Sequence, residues 1–149
     1  MEIERKFLVD NIPFDLTDYS FHVIEQGYLN IDPVVRIRRQ DNDYCLTYKA
    51  KGFLEREEYN LPLDKKSYDH MLTKIDGHLI RKARYLIPLE EHLTIELDLF
   101  EGCHKGLILA EVEFESKEEA NAFIPPQWFG EDVTYSPQYQ NNTLSRQIK

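Results

Sequence analysis

Several short runs of this chain carry charge at every second position. Glu2, Glu4 and Lys6 alternate with Ile3 and Phe7, and Arg36 and Arg38 alternate with Val35 and Ile37. Further along, Lys49 shares a face with Cys45 and Thr47, and Arg56 with Glu58 and Asn60. Lys82 with Arg84, Glu96 with Asp98, and Glu111 with Glu113 and Glu115 repeat the pattern. Carboxylate oxygens suit hard divalent cations such as Mg²⁺ or Mn²⁺. Arginine and lysine suit a polyanion, with arginine offering a planar fork to phosphate oxygens. Both sets in one cavity would be equipped for metal-assisted phosphoryl transfer.

The first question is whether these faces share a cavity or merely meet water. On an ordinary antiparallel sheet the polar face is solvated. Here, however, the signs are sorted by strand, whereas a surface mixes them. Acids crowd the runs holding Glu2 and Glu4, Glu96 and Asp98, and Glu111 and Glu113; bases crowd the others. Two carboxylates at i and i+2 on one strand face lie ~7 Å apart. Three such pairs would repel unless metal or bases neutralise them. Pattern alone leaves the solvated face standing as the alternative.

Period-two alternation marks strands over residues 2–9, 34–39, 44–50, 56–62, 79–87, 94–100 and 109–115. Asp41-Asn42-Asp43 and Lys51-Gly52 supply hairpin turns. Asp64 can cap a helix carrying Tyr68, Met71, Leu72 and Ile75 and ending at Gly77. Ser116 with Glu119 forms a capping box, and Pro125-Pro126 stops that helix. Ser136-Pro137 opens a short helix near the end. The expected fold is mainly β (α+β): one domain over 1–149, an antiparallel barrel of roughly eight strands with a few outer helices.

Composition sets the outer limits. The 149 residues are 42% hydrophobic and 30% charged, enough for one core and unlike a disordered chain. A net charge of −9 argues against a nucleic-acid binder, which needs an exposed basic stripe, but not against a small anion in a local basic pocket. Two cysteines make no disulfide framework, and the start shows no signal-peptide pattern, so a cytoplasmic protein is expected. No apolar run is long enough for a membrane helix. The five histidines are scattered without zinc spacing, and Trp128 is expected in the core. Neither a Walker loop nor a nucleophile elbow occurs.

Glu2-Ile3-Glu4-Arg5-Lys6 resembles the E-x-E-x-K opening of the CYTH superfamily, the triphosphate tunnel metalloenzymes. Further elements follow in order: Gln26-Gly27-Tyr28-Leu29, Val35-Arg36-Ile37-Arg38, Thr47-Tyr48-Lys49 and Arg56-Glu57-Glu58-Tyr59. Then come Arg81-Lys82-Ala83-Arg84-Tyr85, Glu96-Leu97-Asp98, Glu111-Val112-Glu113 and Trp128-Phe129-Gly130. Together they span nearly the whole chain, like a short bacterial-type member. The resemblance implies an eight-stranded tunnel and a metal cofactor, Mg²⁺ or Mn²⁺. It implies Glu2, Glu4, Asp98, Glu111 and Glu113 as metal ligands, with Glu58 and Glu96 supporting. It implies Lys6, Arg36, Arg38, Lys49, Arg56, Lys82 and Arg84 as triphosphate ligands, and Glu4, Lys6 and Tyr28 as catalytic, Tyr28 as proton acceptor. For Tyr28 the plain alternative is an aromatic packing at a strand start. Two departures stand out: Asn60 replaces a second acid in the R-x-E-x-E element, and Tyr135 and Ser136 replace acids after Val133-Thr134.

The function so implied is hydrolysis of a small triphosphate. Inorganic triphosphate is favoured, since the sequence offers no clear base-recognition pocket; a nucleoside triphosphate is the next choice. Alternatives are adenylate cyclisation, thiamine triphosphate hydrolysis, and polyphosphate or nucleotide binding without turnover. The partner is a small molecule, with no nucleic acid and no membrane; a homodimer is left open.

Overall fold

A computed structural model describes residues 1–90 and 92–145, Asn142 by its backbone alone. The strands are β1 (Glu2–Leu8), β2 (Phe21–Ile31), β3 (Val34–Gln40), β4 (Asp43–Lys49), β5 (Glu55–Arg56), β6 (Glu58–Leu63), β7 (Asp76–Pro88), β8 (Thr94–Phe100) and β9 (Ile108–Glu113). They form one 9-stranded antiparallel sheet in the order β5-β1-β9-β8-β7-β2-β3-β4-β6. The two edge strands, β5 and β6, are separated in sequence by Glu57 alone, so the sheet curls until one segment of chain serves both edges. This split of the expected 56–62 strand is why nine strands stand where about eight were expected. Near-closure leaves little unpaired edge.

Outward-facing residues build the main core. Ile3, Phe7, Ile95, Leu97, Ala110 and Val112 pack with Phe114, Ala120 and Phe129. Helix α2 (Lys117–Ala122) and the segment after it cover this side, with Trp128 partly buried as expected. Ser116 Oγ accepts from Glu119 N at 3.1 Å, and Glu119 reaches back to Glu115 N at 3.0 Å, the expected box shifted by one residue. Arg5 locks the cover down. Its guanidinium donates to the Ala120 and Phe123 carbonyls at 3.1 and 3.0 Å and pairs with Asp132 at 2.8 Å.

Helix α1 (Lys65–Leu72) lies over β3 and β4. Asp64 caps it through Ser67 N at 2.7 Å, and Tyr68 donates to Glu25 at 3.0 Å. The helix stops at Leu72 rather than reaching Gly77; Thr73 and Lys74 turn back onto His70 and Met71, and Gly77 already lies within β7. Ile75 packs on Gly27 instead, where a Cβ would come 2.7 Å from its Cγ2. Cover is incomplete beyond α1: Tyr59 and Leu61 of β6 are each 57% exposed.

Strand β2 escaped the alternation because both its faces are buried from Ile24 to Tyr28 and its register shifts on either side of Gly27 and Leu29. One end of the barrel is filled. Tyr28, Val34, Ile80, Phe100 and Leu109 pack with Val133 and with Leu144 of α3 (Asn141–Leu144). His104 is buried here, its ring 2.7 Å from the Leu144 carbonyl oxygen. The interior is therefore a cup with an apolar floor on this side.

Candidate active site

A cavity of about 220 Å³ occupies the barrel. Its wall includes Glu2, Glu4 and Lys6 of β1, Arg36 and Arg38 of β3, Lys49 of β4, and Arg56 of β5. Glu58 of β6, Arg84 of β7, Glu96 of β8, Glu111 and Glu113 of β9, and Tyr28 of β2 also line it. Each parity pattern in the sequence thus points inward. Strand sorting becomes wall sorting, because the acidic strands β1, β9 and β8 are neighbours, as are β7, β2, β3 and β4.

Lys82 and Asp98 are the two expected site residues that do not reach the cavity. They are closed off from it, 0% and 1% exposed by side chain, joined at 2.8 Å. Arg84 completes the cluster with two bonds to Asp98, at 2.8 and 2.9 Å. It also contacts Glu111 at 3.2 Å and Glu96 at 3.4 Å. Burial works against the Asp98 carboxylate, yet Arg84 and Lys82 prevail and hold its pKa well below the usual range. Burial beside the Phe100 ring pushes the Lys82 ammonium down to about 8 despite Asp98.

Across the seam where the sheet closes, Lys49 bridges Glu2 at 3.0 Å and Glu58 at 3.3 Å. The other bases have only neutral partners among the described residues. Lys6 donates to the Tyr139 carbonyl at 3.2 Å, Arg38 to Gln26 at 2.9 Å, Arg56 to the Ala50 carbonyl at 3.0 Å, and Arg36 to Thr47 at 3.2 Å. Burial, with Arg36 and Arg84 nearby, lowers the Arg38 pKa to about 10.

Glu4 and Glu113 sit opposite one another in the β1–β9 register. Burial, with Glu111 and Glu2 close by, pushes the Glu4 carboxyl up to about 8. Burial and Glu2 also raise Glu113, while burial raises Glu96 against the pull of Arg84. Burial and neighbouring acids disfavour the charged forms of Glu4 and Glu113, a cost that a hard divalent cation on these oxygen ligands would relieve. As the side chains stand, no three described acids, histidines or cysteines converge into a ready-made metal nest, since several acids turn to Lys49 and Arg84 instead.

Tyr28 lies inside β2 rather than at its start. Its ring joins the apolar floor, and its hydroxyl accepts from Gln26 at 3.2 Å. Sequence reasoning passed over the neutral lining: Gln40, Phe53, Thr134, Gln140 and Asn141. Gln40 keeps parity with Arg36 and Arg38 and could have been found. Gln140 and Asn141 come from the C-terminal segment, which has no periodic signal. Thr134 accepts from Lys6 N at 3.0 Å and so anchors the opening strand.

A nearly closed barrel with sorted charge inside is suited to a polyanion, and comparison with known proteins points the same way. The CYTH-domain family model matches residues 1–143, and this chain belongs to that family, one of metal-dependent enzymes. The chain is 40% identical to the inorganic triphosphatase of Nitrosomonas europaea, over 99% of this chain and 98% of that protein. It is 31% identical to the inorganic triphosphatase of Acetivibrio thermocellus, over 96% and 92%. Among solved structures, an inorganic triphosphatase superposes with TM-score 0.73 at 37% identity, covering 99% of this chain and 96% of that one. A Hippeastrum protein with dominant triphosphatase activity shares the fold, with TM-score 0.60 at 17% identity over 81% and 83%.

Proposed function

We propose that this protein hydrolyses inorganic triphosphate with a divalent metal, Mg²⁺ or Mn²⁺, inside the barrel. The observation that carries the reading is a wall that sets bases with no paired acid beside two acids, Glu4 and Glu113, with no paired base among the described residues. Lys6, Arg36, Arg38 and Arg56 have no carboxylate partner among the described residues, so their charge is available to a triphosphate. Lys49 and Arg84 extend that grip, with Lys82 behind them. Glu2, Glu4, Glu111 and Glu113 would hold the metal; Asp98 would join only if its pairs with Lys82 and Arg84 opened, and Glu58 and Glu96 support neighbouring bases. The metal, when bound, would polarise phosphate oxygens and activate water.

This chain's own residues do the rest. The bases hold the triphosphate in one orientation and neutralise the charge that moves onto the leaving diphosphate. The apolar floor keeps bulk water from one end and strengthens each contact. Tyr28 keeps its expected part as proton acceptor in this reading, supported by its place among the residues that line the cavity. The cytoplasm remains the proposed location; among the described residues no helix is long and apolar enough to cross a membrane.

A second cavity favours a second substrate. It opens beside the first and is lined by Ile31, Pro33, Val34, Phe53 and Lys51 among others, with a volume of about 290 Å³. No periodic pattern marks such an annex, and it could seat the organic group of a nucleoside triphosphate. Phosphate release from inorganic triphosphate and from ATP, with Mg²⁺, Mn²⁺ or chelator, tests both readings. Metal-dependent release from inorganic triphosphate, nearly abolished in Glu4→Gln, is expected. Full activity in that variant sinks the assignment of Glu4; cyclic AMP from ATP, without phosphate release, would make the protein a cyclase.

A further inference from the structure

Arg36, Thr47 and Asn60 form one row across three strands, paired Arg36 with Thr47 and Thr47 with Asn60. Arg36 Nη2 donates to Thr47 Oγ1 at 3.2 Å, Thr47 Oγ1 donates to Asn60 Oδ1 at 2.6 Å, and Asn60 Nδ2 donates to Glu58 Oε1 at 3.2 Å. Direction is fixed at every step. A hydroxyl has one proton, and Thr47 gives it to the Asn60 carbonyl, which leaves its lone pairs for the arginine. The Asn60 amide, in turn, faces its NH₂ to an anion, so its oxygen faces Thr47. Thr47 is fully buried, and Arg36 is buried with its Nε unpartnered.

We infer that Thr47 and Asn60 are positioning residues, a neutral relay that holds the Arg36 guanidinium toward the triphosphate without neutralising it. This rests on the triphosphatase reading above. Asn60 itself lines the cavity. A carboxylate there would crowd Glu58 with like charge and draw the relay's positive end toward itself. The amide supplies the same acceptor for Thr47 with no net charge, so Arg36 stays both fixed and fully cationic. Unpaired but restrained is the state that binds an incoming anion with least reorganisation.

The test is steady-state hydrolysis of inorganic triphosphate by wild type, Thr47→Val, Thr47→Ser, Asn60→Ala and the Thr47→Val/Asn60→Ala double variant, with triphosphate binding by calorimetry alongside. Thr47→Val keeps the shape and removes the relay. It is expected to raise KM and the dissociation constant about tenfold, with kcat changed less than about twofold. Thr47→Ser restores the hydroxyl and most of the affinity. Asn60→Ala follows Thr47→Val, and the double variant is no worse than the poorer single one, because both break one link. Unchanged affinity in a folded Thr47→Val, no rescue by serine, or multiplying effects would overturn the relay while leaving the triphosphatase standing. Wild-type protein that neither binds nor hydrolyses triphosphate would overturn both.

Discussion

The barrel's two basic regions are built on opposite plans. On β7, Lys82 and Arg84 are locked to Asp98, with Glu96 and Glu111 around the same guanidinium. On β3, Arg36 and Arg38 touch only a hydroxyl and an amide among the described residues. Both regions are buried and both are cationic, so burial and charge do not separate them; the partner does. A buried base paired with acids is part of the framework, because its removal strands the acids. A buried base given neutral partners is held at a cost, since nothing offsets its desolvation. That is the arrangement expected where an anion is to arrive.

The sharpest way to break this contrast is to cut the paired region. Asp98→Ala would leave Lys82 and Arg84 buried against each other and an apolar floor. Stability in chelator should fall by about 3–5 kcal/mol, measured by denaturant unfolding. A loss under about 1 kcal/mol would mean that the Asp98 cluster is no framework, and the contrast with β3 would collapse.

Next in size is the unpaired region, read as binding rather than stability. Arg38→Met removes a charge that burial and its neighbours Arg36 and Arg84 already disfavour. Triphosphate binding should weaken about 30-fold or more, the loss of charge-assisted contacts. Melting temperature should stay level or rise. A variant that binds normally but melts much earlier would place Arg38 with the framework instead.

That Glu2 shares a face with Glu4, Arg36 with Arg38, and Glu111 with Glu113 was legible in sequence because a period of two survives any curvature of the sheet; that these faces turn inward was not fixed by pattern alone. Which bases would be paired was not. Arg36 and Arg84 look alike as alternating arginines; only the neighbour order β9-β8-β7 brings acids to one and leaves the Thr47 hydroxyl for the other. Strand β2 was masked for a similar reason, since burial on both faces erases alternation between Ile24 and Tyr28. Helix α1 was called forth correctly by Asp64, but its end was not, because Ile75 was taken up by packing on Gly27. The sealed position of Asp98 depends on the floor of Ile80, Phe100 and Leu109, which no local pattern reveals.

The smallest effect concerns the acids that lack bases, and it depends on pH. The Glu4 carboxyl, ordinarily near 4.5, is pushed up to about 8 by burial with Glu111 and Glu2 close by. Between those two values the folded chain holds more proton than the unfolded one, so Glu4 lowers stability progressively as pH rises through that window. Below 4.5 both states are protonated and the penalty vanishes; above 8 it is constant. Glu4→Gln carries no charge to bury at any pH. In chelator, the melting temperature of Glu4→Gln should match wild type at pH 4.5 and exceed it by several degrees at pH 8.5. The same substitution is expected to remove turnover, so one carboxylate would be shown to trade stability for function. A gap that stays constant with pH, or a variant less stable at pH 8.5, would mean that positive charge already balances the β1–β9 wall. The distinction between its surplus acids and the unpaired bases of β3 would then have to be redrawn around Arg36 and Arg38 alone.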